Sequence, residues 1–302
     1  NPKLKDTLPN PFVLKDMDKS VERCLNAIIK KEKIGIFGDY DVDGATSTAV
    51  LGNYLKSIGH EITVYIPDRK TEGYGPTKNG FDKLIKQGAK LILTVDCGTM
   101  SFEIINAYQK KNLDIIILDH HQSELKLPNA YSIVNPNRFD DVSNLKYLCA
   151  AGVCFMFLIG LNAKLRKLKW FEKNKVKEPN LINSLDLVSL GTVCDVVPLI
   201  GLNRTIVSQG LKVINKISNP GIKILKNICG VESNLTTYHL GYVLGPRINA
   251  GGRVGKCSHG ANLLLSKNPK EVFKIASELE IYNNERKIIE KDILNKIEKN
   301  IS

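Results

Sequence analysis

Four short apolar runs alternate with amphipathic stretches between residues 33 and 118, and this alternation constrains the fold more than any other feature. The apolar runs cover residues 33–37, 61–66, 91–95 and 114–118, and helical apolar spacing covers 45–58, 78–87 and 102–111. Strands that alternate with helical crossovers specify a parallel sheet with helices on its faces. The sequence therefore predicts an α/β fold built on a parallel sheet flanked by helices.

Beyond residue 135 the pattern becomes helical. Helical spacing covers 147–161 and 181–190, and a long, highly charged helix is predicted from Asn268, with Asn268 as its N-cap and Pro269 at its first position. We divide the chain into a lead-in at 1–30, an α/β part at 31–135, a mostly helical cap at 136–265 and a connector helix at 266–302.

Ionisable residues follow three of the predicted strands at the point where each strand ends. In chain order they are Asp39, Asp41, Asp43, Asp96, Asp119, His120 and His121. Ligands of open α/β sheets bind beyond the carboxyl ends of the strands. We therefore expect these side chains to meet at one edge of the sheet.

The segment from Asp39 to Gly44 carries three carboxylates at alternate positions, and Gly44 is expected to let the backbone turn sharply. Crowded carboxylates repel one another unless a cation neutralises them, and oxygen ligands favour Mg²⁺ or Mn²⁺. A calcium-binding EF-hand is disfavoured because its twelfth position, here Val50, must be a glutamate. The segment therefore predicts a Mg²⁺ or Mn²⁺ site.

Three further segments supply candidate residues for the same site. Asp96 alone is typical of a helix cap, but next to the first cluster a carboxylate that bridges two ions is the better account. Successive side chains of a strand point to opposite sides, so one of His120 and His121 is expected to bind metal while the other faces substrate. Asp195 lies in an apolar segment, where an unpaired charge is costly to bury. Two divalent metal ions, Mn²⁺ or Mg²⁺, would support hydrolysis of a phosphodiester or phosphoanhydride.

Composition sets the class of partner. The formal net charge of +12 favours a polyanion such as nucleic acid, although a biased genome composition accounts for the charge equally well. The basic and aromatic segment 164–177 is typical of a solvated helix–loop insertion, with a nucleic-acid contact as the alternative. Seven cysteines without a CxxC pair, and no apolar stretch long enough for a bilayer, predict a cytoplasmic protein that contacts no membrane.

The successive motifs Asp39-x-Asp41-x-Asp43-Gly44, Asp96, Asp119-His120-His121 and Asp195 resemble those of the DHH phosphoesterases. Residues 38–44, 191–198 and 247–253 are similar within that superfamily to the RecJ-like exonucleases, which degrade single-stranded DNA from 5′ to 3′ in repair and recombination. The resemblance implies the DHH phosphoesterase fold for nearly the whole chain.

The resemblance also implies a role for each matching residue. The implied metal ligands are Asp39, Asp41, Asp43, Asp96, His120 and Asp195. His121 would contact the scissile phosphate, and Asp119 would orient a neighbouring histidine. Arg247, Asn249 and Arg253 would bind substrate phosphates, with a structural role for this glycine-rich turn as the alternative. His259 is given no role.

Two other functions stay open at this point. One is a phosphodiesterase that acts on short oligoribonucleotides or cyclic dinucleotides, and the other is a binding protein that has lost catalysis. The family resemblance further implies single-stranded DNA as substrate, a monomer, and a single-strand-binding protein and a helicase as partners. We interpret the chain as a fragment whose connector helix leads toward a DHH-associated domain.

Overall fold

A five-stranded parallel sheet occupies the N-terminal half of the chain. The computed structural model describes residues 2–111, 113–216 and 219–301, so the two end points of the predicted segments, Asn1 and Ser302, lie outside the described residues. The strands are β1 (Ile34–Gly38), β2 (Ile62–Tyr65), β3 (Leu91–Val95), β4 (Asp114–Leu118) and β5 (Ser132–Val134), in the order β2-β1-β3-β4-β5. β1 and β3 are buried along their whole length, as expected for strands covered by helices on both faces.

Helices cover both faces of the sheet and dominate the C-terminal half of the chain. They are α1 (Leu4–Thr7), α2 (Met17–Ile29), α3 (Val42–Ser57), α4 (Lys78–Lys86), α5 (Phe102–Gln109), α6 (Ala150–Lys167), α7 (Trp170–Lys173), α8 (Leu185–Cys194), α9 (Gly201–Lys216), α10 (Pro220–Ile228), α11 (Gly245–Arg253), α12 (His259–Leu265) and α13 (Pro269–Ile301). Pro11–Val13 and Leu181–Ser184 form 3₁₀ turns, and His239–Leu244 forms a π-helix.

The apolar core has two parts, one on each face of the sheet. The larger part joins the sheet to α2, α3, α6 and α8 and continues into the helical half, while the smaller part lies under α4 and α5 around Phe37, Phe81 and Tyr108. Within the described ranges, none of the helices combines the length and the apolar character needed to cross a bilayer.

The predicted α/β fold is confirmed, and the four predicted strands are present. The fifth strand, β5, was not predicted, because it has only three residues and no helical crossover precedes it. α3 begins at Val42 rather than 45, so Asp43 and Gly44 lie in its first turn. The predicted glycine-rich turn at 247–253 is wrong: these residues belong to α11, with Pro246 in its first turn.

The connector helix α13 starts as the sequence predicts. The Oδ1 atom of Asn268 accepts a hydrogen bond from the backbone N–H of Lys270 at 3.1 Å, which caps the helix beside Pro269. Its first turns pack on α10, α11 and α12 through buried residues such as Ile275 and Leu279. The helix is therefore part of the folded core at its beginning and extends away from it for the rest of its 33 residues.

Candidate metal centre

The strand register places the candidate residues along one edge of the sheet. Gly38 pairs with Val95, Val95 with Leu118, and Leu118 with Val134. The residues that directly follow β1, β3, β4 and β5 form a row along this edge: Asp39, Asp96, Asp119 and Asn135. Adjacent strands lie about 4.8 Å apart, so the side chains of this row are close enough to share a ligand.

Seven of the eight residues that sequence analysis assigned to the centre form three overlapping groups. The groups are Asp39, Asp41 and Asp96; Asp43, His120 and Asp195; and Asp96, His120 and His121. In each group the ligand atoms lie within 4.8 Å of one another. Asp96 and His120 belong to two groups each, so the groups form one continuous cluster. This arrangement suits two neighbouring cations better than one.

The first three carboxylates enter the cluster through the junction of β1 and α3. Asp41 is the N-cap of α3, and its Oδ1 accepts a hydrogen bond from the N–H of Gly44 at 2.8 Å. The expected sharp turn at Gly44 is wrong, because its φ is not left-handed. The glycine is needed for packing, since a Cβ there would lie 2.6 Å from the carbonyl oxygen of Asp39.

Asp43 is held by the start of another helix. Its two carboxylate oxygens accept hydrogen bonds from the N–H groups of Ala150 and Ala151 at 2.6 and 2.9 Å, at the N-terminus of α6. The positive end of a helix favours a carboxylate at this place. The helical half therefore fixes a side chain that the sheet half supplies.

Asp96 has a left-handed backbone, with φ of 59°. Its N–H donates to the carbonyl of Leu118 at 3.0 Å, which extends the ladder of β3 and β4 by one residue. A non-glycine residue in this region costs about 1–3 kcal/mol and persists where the surrounding structure holds it. In this conformation the Asp96 carboxylate lies beside both histidines. Its Oδ1 is 3.3 Å from His120 Nε2 and 3.9 Å from His121 Nδ1.

The two histidines lie side by side. The expectation that they point to opposite sides is wrong, because β4 ends at Leu118 and the chain then folds around the carboxylate of Asp119. Asp119 Oδ1 accepts from the N–H groups of His120 and His121 at 2.8 and 3.2 Å, and from His121 Nδ1 at 2.7 Å. The ring centroids are consequently 4.6 Å apart. Asp119 thus positions His121.

Asp195 closes the cluster from the helical half. It is the C-cap of α8, and the next residue, Val196, has φ of 58°, which is rare for a β-branched side chain. Asp195 Oδ2 lies 3.6 Å from His120 Nε2, and Asp43 Oδ2 lies 3.7 Å from the same nitrogen. His120 therefore faces carboxylates from both halves of the chain.

Four polar atoms of the cluster are buried without a hydrogen-bond partner among the described residues: Asp39 Oδ1, Asp96 Oδ1, His120 Nε2 and Asp195 Oδ2. Buried polar atoms are nearly always satisfied, and an unsatisfied one indicates a missing ion or water. All four belong to predicted metal ligands. The mixed oxygen and imidazole donors fit Mn²⁺ or Mg²⁺.

The electrostatics of the cluster indicate the same need for positive charge. Burial, followed by repulsion from Asp41, raises the pKa of Asp39 to about 7. Burial, followed by repulsion from Asp43, raises the pKa of Asp195 to about 8, and burial also raises the pKa of Asp96. The hydrogen bond to Asp119 raises the pKa of His121 to about 9. A bound cation would relieve the repulsion among the carboxylates.

Three residues of the site were not found by sequence reasoning. The hydroxyl of Tyr74 donates to the carbonyl of Asp96 at 3.0 Å and lies 3.2 Å from His121 Nδ1. The N–H of Thr99 donates to Asp119 at 3.0 Å, and the Asn135 amide donates to the carbonyl of His121 at 2.9 Å. Asn135 follows β5, so its position at a strand end was the available signal.

The three predicted substrate-binding residues lie on α11, which packs against the loop of the first motif. A Cβ at Gly252 would lie 3.0 Å from the ring of Tyr40. Arg253 is exposed, and Asn249 is partly buried. Arg247 is instead paired with Glu280 on α13, and its Nη1 donates to the carbonyl of Val243 at 2.8 Å. Its guanidinium is therefore engaged within the protein.

The basic segment 164–177 has the structure of a helix–loop insertion. Lys164 pairs with Asp18 and Glu22, and Arg166 pairs with Glu178. His259, to which no role was given, is buried and pairs with Glu278 on α13. These contacts give both features a structural explanation.

Comparisons with known proteins match most of this chain. The profile of the DHH family, N-terminal domain, matches residues 33–192. A single-stranded-DNA-specific exonuclease RecJ of Salmonella typhimurium is 40% identical over 280 residues, which are 92% of this chain and 48% of that protein. The corresponding RecJ of Dickeya dadantii is 38% identical over 281 residues, 92% of this chain and 49% of that protein. The chain thus spans about half the length of the curated relatives that it matches.

A solved structure agrees with the sequence relatives. The crystal structure of an exonuclease RecJ bound to manganese superimposes with a TM-score of 0.81 at 30% identity, covering 94% of this chain and 69% of that one. The fold and the relatives agree, and the chain belongs to the DHH family, within its RecJ group.

Proposed function

We propose that this chain carries the catalytic centre of a single-strand-specific DNA exonuclease that hydrolyses phosphodiester bonds with two divalent metal ions, Mn²⁺ or Mg²⁺. The observation that carries the proposal is the set of four buried, unpartnered ligand atoms at one sheet edge of the described chain. The relatives are named as single-stranded-DNA-specific exonucleases, and a similar structure is bound to manganese. The relatives and the similar structure both support exonuclease activity.

The proposed ligands divide between the two halves of the chain. Asp39, Asp41 and Asp96 would hold one ion, and Asp43, His120 and Asp195 would hold the other, in keeping with the groups described above. The carboxylate of Asp96 lies close enough to His120 to serve both ions. When bound, such a pair of ions activates a water molecule and stabilises the leaving oxygen of an in-line displacement.

The protein's own groups bind and orient the scissile phosphate. Asp119 accepts a hydrogen bond from the Nδ1–H of His121 and so fixes the ring with Nε2 outward, where it donates to a non-bridging phosphate oxygen. The hydrogen bond to Asp119 raises the pKa of His121, which favours a cationic ring that suits an anionic substrate. The ring of Tyr74 packs against the ring of His121, and the Tyr74 hydroxyl donates to the carbonyl of Asp96.

We further propose that degradation runs from 5′ to 3′ and serves repair and recombination. A monomer in the cytoplasm, with a single-strand-binding protein and a helicase as partners, completes the proposal. Asn249 and Arg253 on α11 would bind the DNA backbone beside the centre. The net charge of +12 would draw the polyanionic strand to this surface.

The test compares the hydrolysis of several substrates by one purified preparation of this chain. With Mn²⁺, we expect mononucleotides from a single-stranded oligonucleotide, early release of a 5′-terminal label, and little cleavage of the matched duplex. Chelation by EDTA should stop the reaction. Faster hydrolysis of a diribonucleotide or a cyclic dinucleotide than of the DNA strand would support the alternative phosphodiesterase. Metal binding without hydrolysis of any of these substrates would contradict catalysis.

A further inference from the structure

A small cavity of about 160 Å³ lies where the end of α8, the π-helix, α11 and the connector helix α13 meet. Cys194, Gly245, Asn249, Arg253 and Arg286 contribute to its lining. Gly245 permits the close packing of this wall, because a Cβ there would lie 2.7 Å from Cys194 Sγ. Cys194 directly precedes Asp195, so one lining residue is next in sequence to a proposed metal ligand.

The lining is positively charged. Two guanidinium groups, those of Arg253 and Arg286, border the cavity, and none of the described residues that line it carries a carboxylate. Arg253 forms no salt bridge within the described part of the chain. Arg286 pairs with Glu290 through Nη1 at 2.8 Å, on the exposed side of α13. Two like charges around one small space are stable only where an anion or water separates them.

Polar atoms of two lining residues are buried without partners in the described part of the chain. These atoms are Nε of Arg286, which is a donor, and Oδ1 of Asn249. The oxygen and nitrogen of an asparagine amide exchange places by a rotation of 180°, so Asn249 can present its NH₂ group to an acceptor in the same place. A buried guanidinium N–H without an acceptor carries a desolvation cost.

The size of the cavity is compatible with a small anion. A volume of 160 Å³ is well above the roughly 10–15 Å³ that one water molecule needs on this measure. This is room for a phosphate group. The arginine fork matches phosphate oxygens in geometry as well as in charge.

We infer that this cavity binds a non-scissile phosphate of the DNA strand, and that Arg286 of the connector helix is a substrate-binding residue together with Asn249 and Arg253. The inference rests on the proposed exonuclease function. It exchanges the predicted Arg247 for Arg286, because Arg247 is paired with Glu280 and does not line the cavity, whereas Arg286 lines it. The connector helix thereby contributes to DNA binding directly.

The test replaces Arg286 by Ala and by Lys, and Lys287→Ala serves as the matched control. Lys287 lies one residue further along the same helix, is exposed, and does not line the cavity, so its removal changes the net charge equally. The measurements are KM and kcat on a labelled single-stranded oligonucleotide, the salt dependence of KM, and the melting temperature of each variant.

We expect Arg286→Ala to raise KM about tenfold, as for the loss of charge-assisted hydrogen bonds, with kcat changed less than KM. The logarithmic salt slope should fall by about 0.7, as for one lost contact to a single strand. Arg286→Lys should restore part of the loss. Equal KM and salt slope in Arg286→Ala and Lys287→Ala, with both variants folded, would overturn the inference.

A second measurement separates this inference from the proposed function. Inorganic phosphate should raise the melting temperature of the wild-type chain and of Lys287→Ala, but not that of Arg286→Ala. DNA hydrolysis by the wild type without this difference would overturn the cavity and leave the exonuclease. The difference without any DNA hydrolysis would support an anion site and overturn the exonuclease.

Discussion

The sheet half and the helical half of this chain position their share of the metal centre by different means. In the sheet half, Asp39, Asp96 and Asp119 each follow paired strand ends, so backbone hydrogen bonds fix their spacing. In the helical half, Asp195 depends on the packing of α8 and on the left-handed Val196. The sheet therefore supplies an edge of carboxylates, and helix packing converts that edge into a closed cluster.

The largest effect should come from the sheet half, at Asp96→Asn. Asparagine tolerates the left-handed backbone and keeps the side-chain shape, so the fold should persist while a ligand charge is lost. We expect activity to fall about a thousandfold, since metal stabilisation worth several kcal/mol is removed and each 1.36 kcal/mol is about tenfold. Steady-state kinetics and calorimetric titration with Mn²⁺ measure both consequences.

The control for Asp96 lies at the opposite end of the sheet. Asp114 starts β4 and pairs with Arg23 at 2.6 Å, far along the strand from the cluster. Asp114→Asn should leave turnover and Mn²⁺ affinity unchanged while it lowers stability. Unaltered turnover in Asp96→Asn with Mn²⁺ supplied would remove Asp96 from the centre and break the two-ion assignment.

The next effect tests whether helix packing controls the centre. A Cβ on Gly191 of α8 would lie 2.4 Å from Thr46 Oγ1 and 2.8 Å from Asp43 Oδ1. Gly191→Ala should therefore shift Asp43 and cost about 1–3 kcal/mol of stability. A displaced ligand can reduce turnover by about a hundredfold. Denaturant unfolding and kinetics at one Mn²⁺ concentration check the two expectations.

Gly160→Ala on α6 is the comparison for this variant. Its Cβ would meet Val21 and Phe12 at 3.2 and 3.4 Å, away from the cluster, so a loss of stability without a loss of turnover is expected. If both variants lose stability and neither loses turnover, the helical half does not position Asp43, and the contrast between the two halves fails.

A smaller effect is expected at Tyr74, whose loop bridges β2 and α4. Tyr74→Phe removes the hydroxyl that bonds the Asp96 carbonyl beside His121. The loss of one hydrogen bond is worth about 1 kcal/mol, so kcat should fall about fivefold while Mn²⁺ affinity is kept. Tyr238→Phe, an exposed tyrosine, is the control. Equal kcat in the two variants would show that Tyr74 does not position His121.

The two halves also differ in how far the sequence predicts them. The residue after each of β1, β3 and β4 could be assigned to the site, because apolar runs mark strand ends and parallel strands end at one edge. Tyr74 gave no such signal, since it lies in a loop and reaches the site only through its side chain. The pairing of Arg247 with Glu280 and the position of Arg286 depend on how α13 packs, which joins residues that are distant in sequence.

Two conformations in and near the site were also predicted wrongly from local sequence rules. The alternation of strand side chains was extended to His120 and His121, but the carboxylate of Asp119 draws the backbone into a turn there. The glycines at 251 and 252 suggested a turn, whereas they allow α11 to pack closely on Tyr40 and on Lys256. In both cases tertiary contacts, which periodicity does not encode, decided the outcome.

The smallest effect concerns the stability of the metal-free protein, and its sign follows from the raised pKa values. Burial raises the pKa of Asp39 to about 7 and that of Asp195 to about 8, against about 3.9 in an unfolded chain. The folded state therefore holds protons that the unfolded state releases, so these groups stabilise the fold at low pH, and their contribution is lost as pH rises through 7 to 8.

Protonation of His121 also stabilises the folded state, and this contribution also decreases as the pH rises. The hydrogen bond to Asp119 raises its pKa to about 9, so its contribution is present below its unfolded pKa of about 6.5 and is lost as pH rises toward 9. The pKa of Asp119 is lowered, and its contribution is lost only in strong acid, outside this window. The melting temperature without metal should thus fall between about pH 5.5 and 8.5.

Mn²⁺ should reverse this trend, because a bound cation replaces the protons that the carboxylates otherwise retain. At a hundred times its dissociation constant, a ligand stabilises the folded state by about 2.7 kcal/mol, which is roughly 5–10 °C in a domain of this size. The rise on adding Mn²⁺ should be larger at about pH 8.5 than at about pH 5.5, where protons compete for the ligands. Asp195→Asn should reduce both the pH dependence and the Mn²⁺ effect, whereas Asp114→Asn should change neither. A metal-free melting temperature that rises over this pH range, or an equal Mn²⁺ effect at both pH values, would show that the carboxylates brought together by the two halves do not form one cation site.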